Sequence, residues 1–346
     1  MAMYSFKNDY SEGAHPRILE ALSEYNFIQS DGYGEDRFSD KAAQFIKQAA
    51  QNEAVSVYFV SGGTQANLIC LASLMKPYQA VIAAETAHIN VHEAGAIEAT
   101  GHKICCVPSE DGKLTPAGIQ SICDLHTDEH MVQPKVVFIS NASEMGTVYS
   151  LAELKALRLV CDQNDLYLYM DGARLGVALA IEESDVTLKD ITDLVDVFYI
   201  GGTKNGALIG EAIVFCNPDL NHNFRFYMKQ HGGLLAKGRV LGVQFETLFQ
   251  DGLYFELATH SNRMAQQISE SMKSLGVPFL TNSPTNQIFP ILPNTVIEKL
   301  LKKYAFYVWS KFDETHSAVR LVTSWSAGQA VINEFIKDFS EIYSQS

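Results

Sequence analysis

The sequence of 346 residues predicts an α/β fold, in which a large domain with a mainly parallel seven-stranded sheet flanked by helices precedes a small α+β domain. Two observations predict it. Short apolar runs rich in β-branched residues alternate with stretches of helical periodicity through most of the chain. After the turn-like Asn217-Pro218, the pattern changes to long helices and few strands. We expect the large domain, with the N-terminal segment, to cover 1–245 and the small domain to cover 246–346.

Seven apolar runs are the expected strands of the large sheet. They lie at 55–60, 80–84, 103–107, 135–139, 166–170, 195–200 and 211–216. Helices are expected in the gaps, with the clearest patterns at 64–74, 115–123 and 150–164. The last run follows its predecessor too closely for a helical crossover, so we expect these two strands to be antiparallel.

The flanking segments complete the expected secondary structure. A helix should run from Pro16 to about Tyr25, and Ser39 should cap a second helix over about 40–51. In the C-terminal part, helices are expected at about 253–275, 294–303 and 328–343, with strands at 287–292 and 318–323.

Composition argues against several functional classes. The net charge is −14 without a basic cluster, which argues against nucleic acid and anionic membrane surfaces as partners. No apolar run approaches the length of a membrane span, and residues 1–9 lack the apolar core of a signal peptide. The six cysteines include no Cys-x-x-Cys pair, and Cys105 and Cys106 should point to opposite faces of a strand. We therefore expect a cytoplasmic protein with reduced cysteines.

One lysine stands just beyond the strand expected at 195–200. Two glycines and Thr203 separate Lys204 from that strand. A lysine beside small residues at a strand end can reach a bound carbonyl cofactor and form a Schiff base. The alternative is a solvated turn lysine, because Asn205-Gly206 between two strand-like runs is a strong hairpin signal.

A glycine-containing segment at 61–67 follows one expected strand and opens a helix. Free N–H groups and the positive end of the helix dipole suit a phosphate there. Gly63 permits close approach of the backbone, and Thr64 adds a hydroxyl donor. The alternative is an ordinary helix start after a turn. Because no Gly-Lys-Ser/Thr ending follows, the segment is not a nucleotide P-loop.

An aspartate and an arginine lie at the carboxyl end of the strand expected at 166–170. There Asp171 could accept a hydrogen bond from a pyridinium nitrogen and keep that ring electron-poor. The alternative is a turn aspartate paired with Arg174. A second arginine, Arg320, lies in the strand expected at 318–323, where it invites a carboxylate. Its alternative is an edge-strand arginine exposed to water.

His88 begins a helical stretch, with His92 and Glu93 one turn later. Two histidines at this spacing could bind a metal, but no Glu-x-x-His signature accompanies them. A structural histidine with its hydrogen bonds satisfied is a second interpretation. The third, which the neighbouring motifs favour, is an imidazole stacked on an aromatic cofactor.

Taken in chain order, these motifs make the sequence resemble the aspartate-aminotransferase superfamily of pyridoxal-phosphate enzymes. Within it, the chain resembles the low-specificity L-threonine aldolases of the β-eliminating-lyase group over nearly its whole length. The motifs that carry the resemblance are Tyr33-Gly34-Glu35-Asp36, the segment 61–67, His88 with Glu93 and Gly95, Asp171-Gly172-Ala173-Arg174, Thr203-Lys204 and Arg320-Leu321-Val322-Thr323. The Asp-Gly-Ala-Arg block is the most specific of them.

The resemblance implies pyridoxal 5′-phosphate as cofactor and a small amino acid as substrate. L-Threonine or L-allo-threonine would be cleaved to glycine and acetaldehyde. Lys204 would form the Schiff base, Asp171 would pair with the ring nitrogen, and Gly63 and Thr64 would hold the phosphate. His88 would stack on the ring and serve as base, directly or through a water.

The resemblance also implies substrate contacts. Arg174 and Arg320 would bind the substrate carboxylate, and Asn8 falls where the family usually has a serine that also touches it. Tyr33 and Lys229 fall where the family reaches the active site, often across a subunit boundary. A homodimer or homotetramer with shared active sites follows from this.

Two departures from the family pattern affect the expected site. The loop after Lys204 is shorter than usual, and alanine occupies the apparent place of a phosphate-binding arginine, so that Lys237 or Arg239 would have to substitute. The enzyme alternatives are β-elimination and transamination on the same fold. A further alternative is a protein that binds the cofactor without catalysis.

Overall fold

The computed structural model describes residues 3–345. Its strands are β1 (Tyr4–Ser5), β2 (Ser56–Val60), β3 (Gln79–Ala84), β4 (Lys103–Val107), β5 (Gln133–Ser140), β6 (Tyr167–Asp171), β7 (Val197–Gly201), β8 (Glu211–Phe215), β9 (Gln287–Ile288), β10 (Ile291–Pro293), β11 (Tyr304–Ala305), β12 (Tyr307–Lys311) and β13 (His316–Val322). Its helices are α1 (Pro16–Glu24), α2 (Arg37–Ala50), α3 (Gly63–Leu74), α4 (His88–Val91), α5 (Pro116–Leu125), α6 (Leu151–Gln163), α7 (Leu175–Leu179), α8 (Leu188–Leu194), α9 (Phe224–Gln230), α10 (Arg239–Gln250), α11 (Leu253–Ser274), α12 (Asn294–Leu300) and α13 (Gln329–Tyr343).

The large sheet has seven strands in the order β2-β8-β7-β6-β5-β3-β4. Strand β8 is antiparallel to β2 and β7, and the other neighbours are parallel. All seven predicted strands are therefore confirmed, including the antiparallel return after Lys204. The mainly parallel sheet places the carboxyl ends of β3, β5, β6 and β7 at one edge, where ligand sites of open α/β sheets lie.

Helices cover both faces of this sheet, which explains why its strands are apolar throughout rather than alternating. In β7, Phe198 and Ile200 belong to the core under α6 and α10. Val197 and Tyr199 point the other way, into the core under α3 and α9. Successive side chains of a strand leave on opposite faces, so both sets are buried.

The predicted cap of the second helix is wrong. Helix α2 begins at Arg37, and Asp36 is its N-cap, with a side chain that accepts from the N–H groups of Phe38 and Ser39. Ser39 instead donates its hydroxyl to the second oxygen of Asp36 (2.9 Å). One carboxylate therefore satisfies several first-turn donors, and this starts the helix a turn earlier than the hydrophobic pattern suggests.

The small C-terminal sheet has the order β10-β13-β12, and β9 also pairs with β13. The predicted strand 287–292 is two short strands, β9 and β10, separated at Pro290, whose nitrogen carries no donor for a continuous ladder. Strand β12 was not predicted, because it is an edge strand with mostly exposed side chains.

The N-terminal segment packs against the C-terminal part of the chain. Strand β1 pairs in parallel with β11, and Phe6 is buried in the core built by α11, α12 and α13. The division between residues 245 and 246 lies within helix α10 and stays a prediction. Within residues 3–345, no helix has both the length and the apolar character needed to cross a membrane.

Candidate active site

A cavity of about 310 Å³ lies at the carboxyl ends of the parallel strands, beside the loop between β7 and β8. Five of the residues that the sequence singled out line it, namely Gly63, Thr64, His88, Asp171 and Lys204. They come from four separate chain segments, which the sheet brings to one edge.

Lys204 lies in the loop of the hairpin formed by β7 and β8. The hairpin signal was correct, since Gly206 has a φ of +94° and the buried Asn205 donates through Nδ2 to the Tyr254 carbonyl (2.7 Å). The alternative of a solvated lysine is not observed, because the Lys204 side chain is half-buried and lines the cavity. The local turn thus fixes the backbone and directs the lysine inward.

The burial of Lys204 favours its neutral form. Burial, and then the positive charge of Arg174, lower its pKa, against the opposing charges of Asp9, Glu144 and Asp171. A larger neutral fraction makes an amine a better nucleophile toward a carbonyl group.

Asp171, the last residue of β6, is buried and held by three donors. Its Oδ1 accepts from the Tyr199 hydroxyl (2.6 Å) and the Ala173 N–H (2.9 Å), and its Oδ2 accepts from Asn67 Nδ2 (3.0 Å). Asp171 makes no ion pair with Arg174, so the turn alternative does not hold. Its fixed carboxylate is a suitable acceptor for a protonated ring nitrogen.

His88 begins helix α4 and is held by Glu93. The distance from its Nδ1 to Glu93 Oε1 is 2.8 Å, and Asn67 Nδ2 donates to the same oxygen (2.7 Å). Burial lowers the pKa of His88, but the bond to Glu93 and the charges of Glu144 and Asp171 outweigh burial and raise it. Within residues 3–345, no group of three or more metal-ligating side chains comes together.

The amino end of helix α3 forms a cradle at the cavity. Its N-cap, Gly62, has no side chain that could accept from the first-turn N–H groups, so these donors stay available. A β-carbon at Gly63 would lie 2.9 Å from the Tyr199 hydroxyl oxygen, so a side chain there would intrude on the cradle. Backbone donors, the helix dipole and the exposed Thr64 hydroxyl fit a phosphate group.

Arg174 is buried and pairs with Asp9. Its Nε and Nη2 donate to the two oxygens of that carboxylate at 2.8 and 3.0 Å, and Asn286 Nδ2 donates to Asp9 as well (2.9 Å). Burial opposes ionisation of Asp9, but Arg174 and Lys204 hold its pKa below the ordinary value. The pair leaves Arg174 Nη1 unused by Asp9.

Arg320 lies in β13, which has partners on both sides, so the exposed edge-strand alternative is not observed. Its Nη2 donates to the Lys7 carbonyl (3.2 Å), while its buried Nε has no hydrogen-bond partner among the described residues. Burial and the neighbouring charge of Arg174 lower its pKa. Two nearby arginines, one with an unsatisfied donor, are suited to bind an anion such as a carboxylate.

Neither Arg174 nor Arg320 lines the Lys204 cavity, and four other predicted residues do not line it either. Asn8 Oδ1 accepts from the Tyr10 N–H (3.0 Å) in an exposed turn. Lys229 lies over the Tyr33 ring, with Nζ 4.6 Å from the ring centroid, and Tyr33 lines a different pocket. Lys237 lines a separate groove of about 910 Å³. The site roles of these four residues stay predictions.

The suggested substitute Arg239 is engaged elsewhere. Its two Nη atoms donate to the carbonyls of Tyr25 and Ile28, and its guanidinium lies over the Phe38 ring. In this chain Arg239 therefore joins the end of α1 to α10 and has no free donor edge of the kind that a phosphate would need.

Sequence reasoning missed several groups that build the site, among them Asp9, Asn67, Tyr199 and Glu211. Asn67 lay inside a recognised motif, but its partners Asp171 and Glu93 are distant in sequence. Burial raises the pKa of Glu211 to about 8, although Thr203 and the Gly202 N–H (2.9 Å) bond to it. A single glutamate at the start of an apolar strand was the only available signal.

Comparisons with known proteins agree with this architecture. Residues 13–294 match the family model described as beta-eliminating lyase. The chain is 34% identical over 337 residues to a low specificity L-threonine aldolase of Pseudomonas aeruginosa, covering 96% of both chains. A threonine aldolase structure from Leishmania major superposes with a TM-score of 0.97 at 44% identity, covering 98% of this chain and 99% of that one. An aspartate aminotransferase from Thermus thermophilus shares the fold alone, with a TM-score of 0.73, 14% identity, and coverage of 98% of this chain and 91% of that one.

The fold and the site together define a pyridoxal-phosphate-dependent lyase. Lys204, Asp171 and the amino end of α3 fit that cofactor, because they present an amine, a ring-nitrogen acceptor and phosphate donors to one cavity. More particularly, the chain belongs to the β-eliminating lyase family. The predictions of fold, enzyme class and cofactor are thereby confirmed.

Proposed function

We propose that this protein cleaves β-hydroxy-α-amino acids, with L-threonine and L-allo-threonine giving glycine and acetaldehyde. One observation carries the proposal: two arginines lie near the cavity of Lys204 and Asp171, although neither lines it. Arg174 is buried and its charge acts on Lys204, and Arg320 is half-buried with a buried Nε that has no hydrogen-bond partner among the described residues. Such a site suits an amino acid bound through its carboxylate. The likeness to threonine aldolases from Pseudomonas aeruginosa and Leishmania major supports the same substrate class.

The residues that would hold the cofactor are those of the cavity. Lys204 would bond to its aldehyde carbon as a Schiff base, Asp171 would accept from its ring nitrogen, and His88 would lie against the ring. Gly63 and Thr64 would bind the phosphate. When bound, the cofactor supplies an electron sink for a bond broken at the α-carbon.

The residues that would hold the substrate are the two arginines. Arg174 would offer Nη1, because Asp9 occupies Nε and Nη2, and Arg320 would offer Nε. Asp9 would keep the Arg174 fork in place while the substrate enters and leaves. Two fixed donors would set the orientation of the α-carbon and lower the entropic part of the barrier.

The test is aldehyde release from L-threonine and L-allo-threonine by the purified holoenzyme. K204A should abolish both cleavage and the adduct that borohydride traps between cofactor and protein. K103A, which changes an exposed lysine of β4, should leave both intact. Pyruvate with ammonia would instead indicate β-elimination, and a new amino acid would indicate transamination. A yellow protein without turnover would support a non-catalytic role.

We also propose a homodimer or homotetramer in which Tyr33 and Lys229 enter the site of a neighbouring subunit. Their mutual contact outside the Lys204 cavity and the exposed rings of Phe27 (94%) and Phe226 (75%) support this proposal. A fully active monomer on a calibrated sizing column would contradict it.

A cytoplasmic location is proposed as well. All six cysteines are free thiols, as suits a reducing compartment. Cell fractionation with an antibody against this chain would check the location, and recovery from an oxidising compartment would contradict it.

A further inference from the structure

A tight turn follows strand β5 and borders the cavity. It spans Ser143 to Gly146, with the Gly146 N–H donating to the Ser143 carbonyl (3.0 Å) and Gly146 at a φ of +74°. The Ser143 N–H donates to the Thr147 carbonyl (2.9 Å) and closes the turn at its base. Glu144 is the first central residue of this turn, and it lines the cavity.

The backbone of this turn is fixed from both parts of the molecule. On the large sheet, the Asn141 N–H just before it donates to the Asp171 carbonyl (3.0 Å). From the C-terminal part, Thr281 Oγ1 donates to the Met145 carbonyl (2.8 Å) and Ser283 Oγ donates to the Gly146 carbonyl (2.9 Å). The turn therefore holds its side chain at a defined point of the cavity wall.

The Glu144 carboxylate itself is free. Among residues 3–345 it makes neither a hydrogen bond nor an ion pair, whereas the other carboxylates of the cavity wall, Asp171 and Glu211, accept bonds from fixed donors. Its negative charge nevertheless acts to raise the pKa of four surrounding basic groups, which are Lys204, His88, Arg174 and Arg320. An unengaged carboxylate in such a place can accept a proton from a ligand.

We propose that Glu144 is the catalytic base that removes the β-hydroxyl proton of the substrate, an inference that rests on the proposed aldol cleavage. The hydroxyl O–H bond breaks and its proton passes to the Glu144 carboxylate. The electron pair of the broken O–H bond forms the second C–O bond of the aldehyde as the Cα–Cβ bond breaks. The pair of that bond stays with the glycine fragment, whose α-carbon then takes up a proton. No further reactant is needed.

His88, the base that the family resemblance implied, is held by another residue. Its Nδ1 is bonded to Glu93 Oε1 at 2.8 Å, which fixes the ring. The Glu144 carboxylate has no such partner among residues 3–345. His88 keeps the predicted role against the ring.

The test compares a substrate that has a β-hydroxyl with one that lacks it. In the holoenzyme, E144Q should lower kcat for threonine cleavage by about 100-fold or more, the range for loss of a general base. Glycine has no β-hydroxyl, so its affinity, measured by absorbance titration, and the exchange of its α-hydrogen with deuterium, followed by NMR, should be close to wild type. E110Q, a change at an exposed acid, should leave all three quantities unchanged.

Chemical rescue separates a base from a structural residue. Added formate should restore part of the cleavage rate of E144A, because a small carboxylate can enter the vacated space. Cleavage by E144Q near the wild-type rate, an equal loss of cleavage and glycine exchange, or absence of rescue would overturn the proposal. A wild-type holoenzyme that cleaves no β-hydroxy amino acid would instead overturn the proposed function.

Discussion

The buried ion pair of Asp9 with Arg174 gives the most direct prediction for stability. The exposed fractions of the side chains are 1% for Asp9 and 7% for Arg174. D9N keeps the size and an acceptor oxygen, but it removes the negative charge and leaves a buried guanidinium uncompensated. Breaking one side of a buried pair costs about 3–5 kcal/mol. We therefore expect D9N to lower the free energy of unfolding by about 3 kcal/mol or more at neutral pH.

A matched control is the exposed pair of Arg17 with Asp251. Its Nη2 to Oδ2 distance is 2.6 Å, and its side chains are 41% and 59% exposed. Exposed pairs contribute about 0–1 kcal/mol because water and salt screen them. D251N should therefore change the stability far less than D9N, although both changes neutralise an aspartate. Denaturant unfolding of the holoproteins, at equal cofactor and protein concentration, measures the two differences.

The pH dependence of the stability difference between wild type and D9N tests the same reasoning. The pKa of Asp9 is held below the ordinary value of 3.8 in the folded protein. Its stabilising contribution is therefore fully present above that ordinary value and is lost as the pH falls through the folded pKa. The gap between wild type and D9N should stay constant from about pH 7 to 5 and then shrink in acid. A D9N protein as stable as D251N at neutral pH would refute the reasoning.

Three further changes have defined outcomes. G63A should weaken cofactor binding by about tenfold or more, because its β-carbon would lie 2.9 Å from the Tyr199 hydroxyl oxygen and the forced shift costs about 1–3 kcal/mol. Fluorescence titration of the apoprotein measures the affinity. G13A is the control, because nothing lies within 4 Å of a β-carbon there. The stability of E211Q relative to wild type should increase as the pH rises from about 4.5 to about 8. Over that range Glu211 ionises in the unfolded chain but not in the folded protein, which lowers the stability of wild type alone. Equal pH profiles of the two proteins in thermal unfolding would contradict this. G172A should fail to give soluble folded protein, because its β-carbon would lie 1.8 Å from the Tyr199 carbonyl oxygen; a folded G172A by circular dichroism would contradict that close contact.

The fold could be predicted where the hydrophobic pattern alone identifies an element. Strands buried on both faces are continuous apolar runs, so each strand of the large sheet was found to within two residues at its ends. Helix α10 escaped notice because its buried face includes Gly242, Gln244 and Glu246, which interrupt the apolar period. Tertiary contacts explain why Gln244 is buried, since its Oε1 accepts from the N–H groups of Leu208 and Ile209 in the loop between β7 and β8.

The site was predictable where a motif is local. Lys204 and Gly63 each follow a strand and Asp171 ends one, and the mainly parallel sheet brings such positions together. The pair of Asp9 with Arg174 joins residues 165 positions apart, and no local pattern indicates that they meet. Glu144 was missed for a related reason, because its turn follows a strand that carried no recognised motif. Its significance comes from the absence of a hydrogen-bond or ion-pair partner among residues 3–345, which no sequence pattern indicates.

The pairing of β1 with β11 has a consequence for biosynthesis. Tyr4 is translated long before its partner Tyr304. Until then the N-terminal segment lacks its pairing with β11, and the Lys7 carbonyl lacks its donor Arg320. A nascent chain can therefore assemble the central sheet early, but both arginines are in place beside the N-terminal segment only after β11 and β13 have been translated.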